Sequence, residues 1–284
     1  MTRIALIANP KSGSGEAERV AALLAEAGAE VDARALEAPG DIDVGTERIA
    51  VAGGDGSIGE AAALAAAAGV PLAVIPTGTA NDFATHFGLP AELGAACRLA
   101  AGGTGTRSVE LPRVCARPFV NVAGAGLPPA AAAEAGGLKE DLGPLAYPAG
   151  AVGAGLKSEP IRCAVTVDGE RLFAGKAWQA SVAGSGAFGG GAGFQTDSAD
   201  GMLDVIVIEA GNRARLVKHA LGLRLGDVER QRGVVSGRGR TIELELDPEQ
   251  DLNVDGELVD VAGLSDDGRL RFETGGERFE LIVA

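Results

Sequence analysis

The chain has 284 residues, of which 46% are hydrophobic, and a formal net charge of −14 at pH 7. This length and apolar content exclude a disordered protein and are sufficient for two domains, each with its own core. The negative charge argues against general nucleic-acid binding, because phosphate contacts need a basic surface, and it disfavours broad attachment to an anionic membrane.

We expect a cytoplasmic protein without a signal peptide or a membrane span. The first apolar run, at 4–8, passes directly into a polar loop, and a glycine and a proline interrupt the longest apolar candidate at 61–75. Cys97, Cys115 and Cys163 are odd in number and far apart in sequence. This pattern is typical of reduced thiols rather than of disulfides.

In the first part of the chain, predicted strands alternate with predicted helices. Together with short glycine-rich turns, this alternation indicates a parallel, doubly wound sheet in an α/β domain over residues 1–112. Apolar runs predict strands at 3–8, 29–35, 48–52 and 72–75, and apolar residues at helical spacing predict helices at 16–27, 58–68 and 91–101.

After residue 112 the pattern changes to period-two alternation with Asp-Gly turns between the runs. This pattern predicts a mainly antiparallel β-sandwich domain over 113–284, whose last residues can pack back on the first domain. Strands are predicted at 162–167, 177–183, 203–208, 241–246 and 269–272, and helical segments at 138–152 and 213–225.

Three glycine-rich loops each follow a predicted parallel strand. They are N-P-K-S-G-S-G at 9–15, G-G-D-G-S at 53–57 and P-T-G-T-A-N-D-F at 76–83. Because ligands bind at the carboxyl ends of parallel strands, we expect the loops to converge on one site. Glycines let backbone N–H groups approach a phosphate closely, and helix N-termini favour its charge. The sequence therefore predicts a mononucleotide site.

The polar residues of the second and third loops have competing explanations. Asp55 is unusual in a loop that only binds phosphate, and a role in holding magnesium would explain it; a tight turn is the alternative. Ser57 and Glu60 have the spacing of a capping box, which explains Glu60 without a catalytic role. Asn81 and Asp82 are ordinary at a helix start, but the two threonines before them favour a ligand contact.

Two acidic segments in the second half are ambiguous from spacing alone. Asp197 and Asp200, together with the Met202 carbonyl, could bind a hard cation, although a polar turn before the strand at 203–208 is the simpler explanation. The D-G-E segment at 255–257 by itself predicts a hairpin turn.

The order of these motifs resembles the catalytic family of diacylglycerol kinases, soluble bacterial lipid kinases related to sphingosine kinases. The motifs are N-P-x-S-G, G-G-D-G-S, P-T-G-T-x-N-D-F-A, D-G-M-L-D-V and V-D-G-E, and they span nearly the whole chain. The stretch at 119–147, with F-V-N-V-A-G-A-G and L-G-P-L-A-Y, is most similar to the soluble branch. The resemblance implies a nucleotide domain and a β-rich domain that enclose a cleft.

The resemblance also implies roles for individual residues. Asp55 and Glu257 would be the catalytic pair, with Glu257 drawing the proton from the lipid hydroxyl. Asp197, Asp200 and the Met202 carbonyl would hold a structural magnesium ion. ATP·Mg²⁺ would be held by Asn9, Pro10, Lys11, Ser12, Gly13, Gly53, Gly54, Gly56, Ser57, Thr77, Gly78, Thr79, Asn81 and Asp82.

The expected activity is transfer of the γ-phosphoryl group of ATP to a lipid hydroxyl, with diacylglycerol as the favoured acceptor and phosphatidic acid as its product. The sequence itself does not choose among diacylglycerol, sphingoid bases, undecaprenol and other hydroxyl lipids. The expected cofactors are ATP and Mg²⁺, and the expected partner is a membrane-derived lipid met by transient membrane contact. The sequence does not decide whether the protein forms a homodimer. The alternatives are an enzyme similar to NAD kinase, which shares G-G-D-G, and a catalytically weak nucleotide- or lipid-binding sensor. The N-D-F at 81–83 speaks against the first alternative, and the presence of both Asp55 and Glu257 speaks against the second.

Overall fold

In the computed structural model of the chain, residues 1–111 with 276–284 form one compact unit and residues 112–275 form another. The helical segments predicted at 138–152 and 213–225 lie outside the residues that the structure describes. The described residues are 1–8, 15–127, 129, 158–184, 200–212 and 232–284.

The first unit is an α/β fold in which five parallel strands form most of one sheet. The strand order is β2-β1-β3-β4-β17-β5, and β5 alone runs antiparallel, paired with β17. The strands are β1 (Thr2–Ala8), β2 (Ala29–Ala35), β3 (Arg48–Gly53), β4 (Leu72–Pro76), β5 (Gly105–Glu110) and β17 (Arg278–Val283). The helices are α1 (Glu16–Glu26), α2 (Asp55–Ala68), α3 (Asp82–His86) and α4 (Leu93–Gly102).

Both faces of this sheet are covered by helices, which explains why the central strands β1, β3 and β4 are nearly continuous apolar runs. Ile4 and Leu6 of β1 share a buried cluster with residues of α1 and α4. The alternating residues Ala5 and Ile7 are also buried. Helix α2 packs on β3, β4 and β17 outside that cluster, on the other face. The predicted doubly wound parallel sheet is therefore confirmed. No helix in the described part of the chain is long and apolar enough to cross a membrane.

The second unit is an antiparallel β structure, as the sequence predicts. Its sheet has the order β15-β14-β8-β10-β9-β13-β16-β6-β7, with β11 beside β10 and β12 beside β11, and every pairing among the described strands is antiparallel. The elements are β6 (Arg113–Val114), β7 (Arg117–Pro118), β8 (Val122–Gly126), β9 (Ile161–Val167), β10 (Glu170–Ala183), β11 (Leu203–Glu209), β12 (Val234–Gly239), β13 (Thr241–Glu245), β14 (Asp251–Val254), β15 (Glu257–Asp260), α5 (Val261–Leu264) and β16 (Arg269–Glu273).

Most buried apolar residues of these strands form one large cluster, and a smaller second cluster contains Val122, Trp178, Ala183, Ile206 and Ile208. Phe119 and Phe272 are fully buried in the large cluster and meet edge to face, with ring centroids 6.1 Å apart. The three cysteines are free, and Cys97 and Cys163 are buried. Burial raises the pKa of the Cys163 thiol to about 11, which keeps it protonated and unreactive at neutral pH.

Two Asp-Gly turns in the second unit share a backbone conformation. Asp168 and Asp255 have φ values of 46° and 48°, and each is followed by a glycine with positive φ. Positive φ at both central residues suits a tight hairpin turn. Each aspartate also fastens a neighbouring segment through its side chain. Asp168 accepts hydrogen bonds from the N–H groups of Arg240 and Thr241 at 3.0 and 2.9 Å.

Asp255 differs from Asp168 because it is buried and more heavily bonded. Its carboxylate accepts from the N–H groups of Val120, Asn121 and Val122 at 2.7, 2.8 and 2.9 Å, whereas Asp168 is exposed. A buried carboxylate with three backbone donors replaces the water that these groups would otherwise bind. Asp255 therefore fixes the segment that leads into β8.

We expect Asp255→Ala to lower the free energy of unfolding by about 3 kcal/mol or more, because three buried donors lose their acceptor. Asp168→Ala is the matched control, with an expected loss of about 1 kcal/mol. Both variants place alanine at a positive φ, so that this cost is common to the two. Urea unfolding of the two variants checks the difference. Equal losses in the free energy of unfolding would show that the buried hydrogen bonds of Asp255 stabilise the fold no more than the exposed ones of Asp168.

Candidate active site

The second and third glycine-rich loops meet at the carboxyl edge of the first sheet. Strand β3 ends at Gly53 and β4 at Pro76, and these two residues are register partners in neighbouring parallel strands. Beyond the strands the loops stay joined, because the Thr77 N–H donates to the Gly53 carbonyl at 3.1 Å. The expected convergence of these two loops is thus present in the fold.

The glycines of the two loops allow backbone to touch backbone. A Cβ on Gly78 would lie 2.5 Å from the Gly54 Cα, and a Cβ on Gly53 would lie 2.8 Å from the Ser57 Oγ. Real Cβ atoms essentially never come so close to a neighbour. From the sequence, these glycines are expected only to let the backbone come close to a phosphate. In the structure, the contact between the two loops requires a glycine at position 78, and the buried side chain of Ser57 requires a glycine at position 53.

Asp55 connects the two loops through its carboxylate. It is the first residue of α2, and its Oδ2 and Oδ1 accept hydrogen bonds from the N–H groups of Asp82 and Phe83 at 3.1 and 2.9 Å. These are the first two residues of α3, whose own N-cap, Asn81, makes no side-chain cap bond. Asp55 therefore caps a helix other than its own and fixes where α3 begins.

Asn81 shapes the third loop from within. Its Oδ1 accepts from the Gly78 N–H at 3.0 Å and its Nδ2 donates to the Gly78 carbonyl at 2.8 Å. The asparagine adopts a left-handed conformation with φ of 53°, which asparagine tolerates better than most residues. Thr77 Oγ1 is buried and has no hydrogen-bond partner in the described part of the chain. Thr79 is exposed.

The capping box predicted for Ser57 and Glu60 is wrong. Helix α2 begins three residues earlier than the box requires, with Gly54 as its N-cap and no side-chain cap bond. Ser57 lies in the first turn and is only 3% exposed, because it packs on Gly53. Gly56 lies beside it in the same turn.

The first loop is only partly described. Asn9, Pro10, Lys11, Ser12 and Gly13 lie outside the described residues. Helix α1 begins after Gly15, which has φ of 114° and ψ of −16° and so needs glycine.

In the second unit, Glu257 begins β15 directly after the Asp255-Gly256 turn. Its Oε2 accepts a hydrogen bond from a terminal nitrogen of Arg117 at 2.7 Å. The side chains of Arg117 and Glu257 are 27% and 44% exposed. The sequence does not predict this contact of Arg117, because 140 positions separate it from Glu257 and only the fold of β7 beside this turn brings the two together.

The predicted magnesium site at Asp197, Asp200 and Met202 stays a prediction, since Asp197 lies outside the described residues. Asp200 accepts a hydrogen bond from the Met202 N–H at 3.0 Å and contacts the guanidinium of Arg238. Arg238 also lies 3.4 Å from Asp204. Within the described ranges no three His, Cys, Asp or Glu side chains cluster as a metal site would need. The described residues alone do not form a site for Mg²⁺, because the guanidinium of Arg238 neutralises the Asp200 carboxylate.

Comparisons with known proteins show which families the two units resemble. The family model for the diacylglycerol kinase catalytic domain matches residues 3–112, and that for the YegS C-terminal NAD kinase beta sandwich-like domain matches residues 121–266. The chain is 29% identical to a diacylglycerol kinase of Bacillus subtilis over 90% of each protein. It is 31% identical to one of Staphylococcus epidermidis over 90% of this chain and 85% of that protein.

Solved structures show the same fold. A diacylglycerol kinase from Bacillus anthracis is similar with a TM-score of 0.74 at 22% identity, over 99% of this chain and 97% of that chain. An NAD kinase from Archaeoglobus fulgidus, solved in complex with ATP, is similar with a TM-score of 0.55 at 16% identity, over 99% and 94%.

Close packing of the loops gives a prediction for nucleotide binding. Gly78→Ala forces the loops apart, and such overpacking costs about 1–3 kcal/mol, so we expect ATP to bind about 5- to 160-fold more weakly. Gly102→Ala is the matched control, because a Cβ there meets nothing within 4 Å. Calorimetric titration with ATP·Mg²⁺ measures both variants. Equal ATP affinities would show that the contact between Gly54 and Gly78 does not shape the nucleotide site.

Proposed function

Because the chain belongs to the diacylglycerol kinase catalytic-domain family, we propose that it transfers the γ-phosphoryl group of ATP to the hydroxyl group of diacylglycerol and forms phosphatidic acid. The observation that carries the proposal is the Asp55 carboxylate, held between two glycine loops at the carboxyl edge of a parallel sheet. Ligands of such sheets bind at this edge, and the family motif G-G-D-G-S lies there.

The residues at this edge fit ATP with a divalent cation. The Thr77 hydroxyl is buried without a partner among the described residues, which costs free energy until a polar ligand satisfies it. Carboxylate and hydroxyl oxygens are ligands that Mg²⁺ accepts, and we propose Asp55 and Thr77 as the residues that hold the cation and the phosphates. When bound, the cation would offset negative charge on the γ-phosphoryl group.

The proposed reaction requires little covalent chemistry of the protein. Glu257 takes the proton of the lipid hydroxyl, and the hydroxyl oxygen forms a bond to the γ-phosphorus. The bond from this phosphorus to the bridging oxygen of ADP breaks, and ADP leaves with the electron pair. A carboxylate is a competent general base if it is correctly placed. Asp55 contributes by fixing both loops, so that the phosphates meet a preorganised edge.

The proposal includes a cytoplasmic enzyme that meets its lipid through transient membrane contact. The formal charge of −14 makes broad attraction to an anionic bilayer unfavourable. We therefore expect the lipid, rather than the charged membrane surface, to provide most of the recognition.

The activity is tested directly with γ-labelled ATP, Mg²⁺ and dioleoylglycerol in mixed detergent micelles. We expect label in phosphatidic acid, and parallel reactions with a sphingoid base, a polyprenol and NAD define the acceptor. Label in NADP alone would replace the proposal with an NAD kinase activity. ATP binding without transfer to any acceptor would favour the sensor.

We expect Asp55→Asn to reduce turnover about 10²- to 10⁴-fold, because the amide loses the charge at the phosphates. The amide also keeps only one acceptor oxygen for the two N–H groups of α3, so a small loss of stability should accompany the change. Steady-state kinetics and thermal unfolding measure the two effects.

Glu92→Gln is the matched control for Asp55→Asn. The Glu92 carboxylate caps α4 by accepting from the N–H groups of Gly94 and Ala95 at 2.8 and 2.6 Å, and these bonds lower the pKa of Glu92. The control should lose a cap and keep its activity. Turnover of Asp55→Asn within a few-fold of the parent protein would remove Asp55 from the chemistry.

A further inference from the structure

Two carboxylates of one turn attach it to the same neighbouring segment. Asp255 binds the backbone N–H groups of residues 120–122, and Glu257 binds the guanidinium of Arg117, just before them. The two attachments differ in burial. Asp255 is 8% exposed, whereas the Arg117–Glu257 pair is open to solvent in part.

The Arg117–Glu257 pair contributes little to holding this turn. Ion pairs between partly exposed side chains add little to stability, because solvent screens them and both side chains lose rotamer freedom. Three buried bonds of Asp255 already fix the turn to the same segment. The consequence of the ion pair is therefore local: it selects one orientation of the Glu257 carboxylate.

The backbone of Arg117 is itself held by strand pairing. It lies in β7, where it is the register partner of Val114 in the β6–β7 hairpin, and Pro118 follows it. A charge-assisted hydrogen bond from a side chain anchored in this way is directional. It engages Oε2 of Glu257, which leaves Oε1 as the oxygen without a bond to the arginine.

We propose that Arg117 is a positioning residue for Glu257 in phosphoryl transfer. It holds Oε2 so that Oε1 faces the acceptor hydroxyl, and it limits the rotamers of a flexible side chain that would otherwise misplace the base. This inference rests on the proposed function, in which Glu257 takes the proton.

The test uses the full chain with γ-labelled ATP and dioleoylglycerol micelles. We expect Arg117→Gln to lower kcat about 10- to 100-fold, the usual effect of a misplaced group, with the KM for ATP unchanged. Arg117→Lys should recover part of the loss, because an ammonium can make one of the guanidinium contacts. Melting temperatures of these variants should match that of the parent protein.

A double mutant separates positioning from a direct role. If Arg117 acts through Glu257, then adding Arg117→Gln to Glu257→Gln should cause no further loss in kcat. Arg171→Gln is the matched control, because it removes a comparable ion pair with Glu245 at 3.0 Å on the same sheet. The control should keep the kcat of the parent protein.

Three results would overturn the inference. An active parent protein whose Arg117→Gln variant matches the Arg171→Gln control shows that the ion pair is irrelevant to turnover. Losses that add in the double mutant show that Arg117 acts independently of Glu257. A parent protein without lipid-kinase activity overturns the proposed function and this inference with it.

Discussion

Two backbone N–H groups at the start of α3 donate to the carboxylate of Asp55, which itself lies in the first turn of α2. One negative charge therefore serves two helix N-termini, where the aligned peptide dipoles favour it. The arrangement needs the loops to be in backbone contact, which Gly54 and Gly78 permit. The position of α3 and the form of the 77–82 loop depend on this contact.

In the second unit a single turn carries two acidic residues in different surroundings. Asp255 is buried and receives three backbone bonds, so its carboxylate serves the fold. Glu257 is two residues away, partly exposed and bound by one arginine, so its carboxylate remains partly open to solvent. The difference in burial between them, rather than their residue type, separates a carboxylate that is committed to the fold from one that stays partly exposed.

The sequence predicted β1, β3 and β4 well because each is an apolar run that is buried on both faces. It did not predict the parallel strand β17, in which polar and apolar residues alternate at the start. It missed β5, whose sequence G-T-R-S-V-E is mostly polar and exposed at its start. It also missed α3, because five residues are too few for a helical period. It misplaced the start of α2 because the capping-box spacing of Ser57 and Glu60 outweighed the glycine-bounded Asp55. The partners of Asp55, Asp255 and Glu257 are 27 to 140 positions away, and local patterns contain no information on such pairs.

The most direct test of this account is amide hydrogen exchange of the full chain with and without ATP·Mg²⁺. A ligand that binds only the native state slows exchange most where it contacts or orders the backbone. We predict slower exchange at residues 54–57 and 77–83, and unchanged exchange in β13 and β16. Unchanged exchange in both loops at saturating ATP, or protection confined to the second unit, would contradict a nucleotide site at the carboxyl edge of the parallel sheet.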